Sequence, residues 1–130
     1  MRRLVGPVLA IALLTTLALP AAASTPPRVA PYDFGTPSKV RPGKLGVGAK
    51  GQVERITWST WGGKYARGQG IYDIASFAGE PGTGYRHSAT LTFSRRATCK
   101  GRRAYTKLVI HYSKPIGGKR SGTFSPWGDC

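Results

Sequence analysis

The chain has no asparagine, only five acidic residues, two histidines and two cysteines among 130 residues. Each shortage excludes something. Without Asn, the 18 glycines and 10 prolines must supply most turns. Two histidines, two cysteines and five carboxylates offer no ligand spacing of a known metal site, so no structural or catalytic metal and no cofactor is expected. No Ser stands in a Gly-x-Ser-x-Gly turn, and no nucleophile, base and orienting group fall into a recognisable pattern. No catalytic residues are assigned on these grounds. Apolar residues recur at helical spacing nowhere after the first 23 residues.

The N-terminus reads as an export signal. Met1-Arg2-Arg3 is a positive start, Leu4–Leu19 is a short apolar run, Pro20 breaks it, and Ala21-Ala22-Ala23 precedes Ser24. That order is the three-part pattern of a cleaved secretory peptide, with cleavage expected between Ala23 and Ser24. The run is shorter than the roughly 20 residues of a spanning helix, and no later run matches it, so no membrane span is expected in the mature chain. Removing Arg2 and Arg3 from the 20 cations leaves 18 against five acids, a net charge of +13. The expected location is extracellular or cell-wall associated. Export also argues against nicotinamide cofactors and against nucleic acid as the regular partner.

Cys99 and Cys130 are an even pair in an exported chain and are expected to form a disulfide. Closing a loop of about 30 residues contributes roughly 3–4 kcal/mol in the chain-entropy description.

After the signal, residues 24–43 hold five prolines and predict an extended lead-in, anchored where Tyr32 and Phe34 can pack. Residues 44–130 predict a single β domain. Leu45 and Val47 mark a short edge strand, and Gln52–Trp61 reads as a strand rich in Thr, Ile, Val and Trp. Gly62-Gly63 suggests a two-residue hairpin turn, which would set Trp61 opposite Lys64, Trp58 opposite Arg67 and Thr57 opposite Gly68. By parity Trp58 and Trp61 then face opposite ways, and Trp61 is the expected exposed aromatic. Ala66, Gly68 and Gly70 form a strip of small residues on one face, on which an aromatic ring from elsewhere should lie. Ser88–Ser94 alternates with Ala89, Leu91 and Phe93 inward, and Ala104–Tyr112 carries Leu108, Ile110 and Tyr112 on one face. Residues 79–84, 95–103 and 114–119 read as loops, and Thr123–Trp127 as a last short strand. Together these predict an all-β fold, a small antiparallel sandwich or barrel of about five to seven short strands following the cleaved signal.

Gly46-Val47-Gly48-Ala49-Lys50-Gly51 matches the glycine spacing of a dinucleotide fingerprint, but a strand-prone segment follows it where the fingerprint needs a helix. Glu54, Asp73, His87 and His111 are the only candidates for general acid–base work, the ingredients of a small secreted ribonuclease. The densest charge is Arg95, Arg96, Lys100, Arg102, Arg103 and Lys107, six cations in 13 positions around Cys99. Such a cluster is expected to bind anionic polymer, such as a polysaccharide or a teichoic-acid-like chain, without reading a sequence. A protein-interaction or inhibitor module using Trp61 and the glycine loops is the alternative.

The run Trp58-Ser59-Thr60-Trp61-Gly62-Gly63-Lys64-Tyr65-Ala66-Arg67-Gly68-Gln69-Gly70, with Cys99 and Arg103-Ala104-Tyr105 later, resembles small exported actinobacterial proteins carrying a W-S-x-W-G-G-x-x-A-x-G-x-G segment. The resemblance implies export and one small β domain. It carries no activity and no site residues across.

Overall fold

The computed structural model describes residues 25–32, 38–48, 50–74 and 84–126. The signal at 1–23, Phe34, the 79–83 part of the glycine loop, Trp127 and Cys130 lie outside the described residues. All seven elements are strands: β1 (Arg28–Val29), β2 (Leu45–Val47), β3 (Gly51–Thr60), β4 (Ala66–Ile74), β5 (Tyr85–Cys99), β6 (Arg102–Ile116) and β7 (Lys119–Phe124). The expected all-β fold is present, as one sheet curled into a half-barrel.

The order across the sheet is β1-β6-β5-β4-β3-β2, with β7 also on β6. β1 and β7 thus share the far edge of β6, β7 along its C-terminal part and β1 at Ala104 and Tyr105. Every pairing is antiparallel except β1 with β6, so the sheet is mixed. Two strands are also far from short. β5 and β6 run 15 residues each, absorbing the segments expected as loops at 95–103 and 114–116. The Gly46–Gly51 run is the β2–β3 hairpin, with Val47 opposite Gly51 and no helix following.

The inner face is lined by Val53, Ala66, Tyr72, Leu91, Phe93, Leu108 and Ile110, all buried. The lead-in is part of this core. Val29, Ala30 and Tyr32 are each about 1 % exposed. Ala30 N donates to Tyr105 O and Gly48 N donates to Tyr32 O, so this segment links the β6 side of the sheet to the β2–β3 turn.

β3 departs most from expectation. Its register with β4 slips once between Glu54 and Thr57 and again between Trp58 and Thr60. Arg55 occupies the first bulge at φ 53°. At the second, Thr60 Oγ1 accepts from Arg67 N and Ser59 Oγ donates to Arg67 O, each at 3.0 Å. Each extra residue reverses the alternation of everything beyond it. Val53, Ile56, Trp58 and Trp61, spaced three, two and three apart, therefore all pack on the core side. A strict two-residue turn at Gly62-Gly63 would have split them. The observed pairs are instead Thr57 with Gln69, Trp58 with Gly68 and Thr60 with Arg67.

The strip of small residues on β4 does receive a ring, and it comes from the paired strand. A Cβ at Gly68 would meet Trp58 Cε3 at 2.8 Å and Thr57 O at 2.9 Å. Gly68→Ala should therefore destabilise the fold by about 1–3 kcal/mol, because backbone and indole must both move. Gly43→Ala, with nothing within 4 Å of the added Cβ, should change stability by no more than about 0.5 kcal/mol. Paired urea denaturation curves check both; equal midpoints would show that the indole does not lie on Gly68.

Candidate anion-binding arm

The last β4–β5 pair is Ala66 with Phe93, and the last β6–β7 pair is Leu108 with Phe124. Beyond those rungs β5 and β6 pair with each other alone, save for β1 at Ala104 and Tyr105. The result is a two-stranded ribbon that overhangs the sheet, with Ala97 and Thr98 both exposed although adjacent residues point to opposite faces. It closes at Lys100-Gly101, where both residues have positive φ, 48° and 77°. This is the hairpin turn whose twist matches that of its strands.

The ribbon arranges the six expected cations around itself. Arg96 stands opposite Tyr105 and Arg103 opposite Thr98, which puts both arginines on one face. Arg102 stands opposite Cys99 on the other face. Lys100 is at the tip, and Lys107 is half-buried at the root opposite Ser94. Arg95 adopts φ 55°, and its carbonyl accepts from Thr106 Oγ1 at 2.7 Å. The cluster is thus a charged projection with cations on two faces. The expected bridge from Cys99 has its other end, Cys130, outside the described residues.

Tyr105 fixes the root of the ribbon. Leu108 and Tyr105 are three residues apart and both fully buried, so β6 breaks its alternation once between them, across from Arg95. The Tyr105 hydroxyl donates to Gly63 O at 2.7 Å and accepts from Gly62 N at 3.0 Å. Arg96 Nη1 donates to Gly62 O at 3.2 Å, so the β3–β4 turn holds both strands of the ribbon's root.

The negative charge among the described residues sits elsewhere. Of the five acids, Glu54 and Asp73 are among the described residues, and Arg86 bridges both, Asp73 at 2.8 Å. The hydrogen bonds to Glu54 and then to Asp73 raise the pKa of Arg86. Arg86 is one residue from the start of β5, whereas the ribbon is at its far end, about 40 Å along the strand.

The acid–base pair of a nuclease is not assembled. Asp73 and Arg86 pair directly on the outer face, while His87 points inward with its ring 4.6 Å from that of Tyr85. His111 faces outward in a register row with Thr57, Gln69 and Thr90. That row places it three strands from β3, about 14 Å from the strand of Glu54. Asp73 lies two strands away and four residues further along β4, about 10 Å across and 13 Å along. Neither acid is within reach of a shared proton. Among the described residues no three His, Cys, Asp or Glu side chains converge as metal ligands. No helix there is long and apolar enough to cross a membrane.

Trp61 is not the exposed ring. The second bulge turns it inward, where it packs edge-on against Trp58 at 4.7 Å and Tyr105 at 5.5 Å, with Nε1 donating to Pro27 O at 2.9 Å. Among the described residues the exposed aromatic is Tyr65, in the β3–β4 turn, with Lys64 and Arg67 each 5.6 Å from its ring centroid. Arg28, in the proline-rich lead-in, is a further cation beside the ribbon. Its only sequence signal would have been the pairing of β1 with β6, which two residues of strand do not announce.

No protein-family model, curated protein or solved structure matches the chain.

The other end of the inner face holds a tyrosine cluster, Tyr72 stacked on Tyr112 at 5.5 Å with Tyr85 at 6.1 Å from each. Burial, reinforced by Tyr112 and Tyr85, pushes the Tyr72 phenol up to about 12. Burial also raises Tyr32. The folded protein therefore keeps these phenols neutral while an unfolded chain ionises them near its ordinary value of about 10. That stabilisation is complete below about pH 10 and is lost as pH rises towards 12. Burial raises Tyr112 as well, so a spectrophotometric titration should show three of the six tyrosines ionising late, together with loss of near-ultraviolet circular dichroism. Six tyrosines ionising together near pH 10 in a still folded chain would contradict this burial.

Proposed function

We propose that this chain is an exported, non-enzymatic β domain whose cationic ribbon binds an anionic polymer of the cell wall or extracellular matrix, a teichoic-acid-like chain or an acidic polysaccharide. One observation carries the reading: the ribbon projects beyond the sheet with cations on both faces, while the described carboxylates are held by Arg86 at the far end of β5. A polymer can wrap such a projection and meet charge on either side. Rigid anchoring at Tyr105 lowers the entropy that binding must overcome. The arrangement reads charge and spacing, with no chemistry required.

The test is retention on immobilised phosphate-bearing wall polymer. Binding should weaken steeply with added salt, because each phosphate contact releases counterions. Arg102→Ala with Arg103→Ala should elute at lower salt than wild type, whereas Arg120→Ala, at the opposite end of β6, should elute close to it. Salt-independent retention, or a double variant that behaves like wild type, would overturn the reading. The same reading includes a Cys99–Cys130 bridge that ties the ribbon to the C-terminus. The denatured, unreduced chain should then show no titratable thiol; two thiols would exclude the bridge.

A further inference from the structure

Beside the ribbon lies a cavity of about 490 Å³ lined by Thr25, Pro26, Arg28, Gly101, Arg102 and Arg103. Its origin is legible in the chain. β1 runs parallel to β6 from Arg28 opposite Ala104, so the residues before Arg28 run beside Gly101–Arg103. Those residues include Pro26 and Pro27, which have no N–H to donate. The ladder therefore stops at Arg28, and the gap left between lead-in and ribbon is the cavity.

Three arginines line it, Arg102 and Arg103 from opposite faces of the ribbon, and no carboxylate does among the described residues. Glu54 and Asp73 are bound to Arg86 at the far end of the sheet. Arg28 is half-buried, and its Nη1 donates to Ser38 O at 3.3 Å, which orients the group while leaving the other donors of its fork available. Three like charges around one concavity repel one another, and an oxyanion placed among them turns that repulsion into attraction. Arginine forks match the paired oxygens of phosphate, and the Thr25 hydroxyl adds a neutral donor to the lining.

We infer that this cavity is a discrete phosphate site, in which Arg28 and Arg102, on one face of the ribbon, hold one phosphoryl group and Arg103 adds its charge from the other. Free phosphate and a phosphate ester of a polymer share this chemistry. That the occupant belongs to a polymer rests on the reading above. The site differs from general attraction to the ribbon in needing Arg28, which is not on the ribbon and not in the charge cluster of residues 95–107.

Calorimetric titration of the purified chain with inorganic phosphate tests the site, and retention on the phosphate-bearing polymer identifies the occupant. Wild type should bind phosphate saturably and acetate far more weakly. Arg28→Ala should weaken phosphate binding about tenfold or more, Arg28→Lys should restore part of it, and Arg120→Ala, an equal charge change at the start of β7, should leave it unchanged. If Arg28→Ala also lowers polymer retention, the polymer supplies the phosphate. If retention is untouched while phosphate binding falls, the site takes free phosphate. Absent saturable binding, or an Arg28→Ala variant equal to Arg120→Ala, overturns the site and leaves the polymer reading to the Arg102 and Arg103 variants. Saturable phosphate binding with no retention of wild type on polymer overturns that reading and leaves the site standing.

Discussion

The Tyr105 hydroxyl, caught between the carbonyl of Gly63 and the amide of Gly62, is the contact on which the architecture turns. Its ring lies edge-on to Trp61, and its carbonyl accepts from Ala30 N at 3.2 Å and from the Tyr32 hydroxyl at 3.3 Å. One residue of β6 thereby joins the lead-in, the β3–β4 turn and the root of the ribbon. β4 and β7 both stop short of that end of the sheet, so Tyr105 shares the task with the β1 rungs, Trp61 Nε1 on Pro27 O and Arg96 on Gly62 O. Buried hydroxyls are costly when unpaired, and this one both donates and accepts. The arrangement therefore selects a single position for each segment, which undirected apolar contact would not do.

The ribbon follows from that anchoring. A two-stranded hairpin alone is marginal in water. Here its far half has no neighbouring strand, and its near half is fixed by Tyr105, by the rungs of β1, and by Arg96 on the Gly62 carbonyl. The unsupported half can then carry mostly cations and small residues, because it has no core to fill. Charge that would destabilise a packed strand is tolerated where both faces are solvated. Arg86, the one bridged arginine among the described residues, marks the opposite condition, since it lies within the four-strand part of the sheet beside both described acids.

Much of the fold was legible in the residues. Ala89, Leu91, Phe93, Leu108 and Ile110 alternate cleanly and are buried as that alternation requires. The small strip of Ala66, Gly68 and Gly70 also announced its ring, though the ring comes from β3 rather than from another layer. What was not legible has a common cause. Alternation reports strands with one dry face. Arg95–Cys99 has two wet faces, so nothing in its pattern marks a strand. The bulges at Arg55 and Ser59 insert residues that a uniform count cannot see, and the second turned Trp61 from the expected outer face towards the core, where it is half-buried. The position of Arg28 depends on a two-residue parallel pairing with a segment more than 70 positions away, which no local signal encodes.

That last dependence bears on how the charge came together. The cluster at residues 95–107 is local in sequence, and local clusters of cations commonly become solvated surface. Arg28 arrives at the same place from the other end of the chain, through a segment whose prolines both permit the approach and stop it short. Bringing a further cation to an already cationic ribbon opposes the electrostatics of folding, and the described residues place no acid there to offset it. An oxyanion bound there would relieve that repulsion. On the reading proposed above, an oxyanion on a polymer would engage both the cavity and the projecting cations at once.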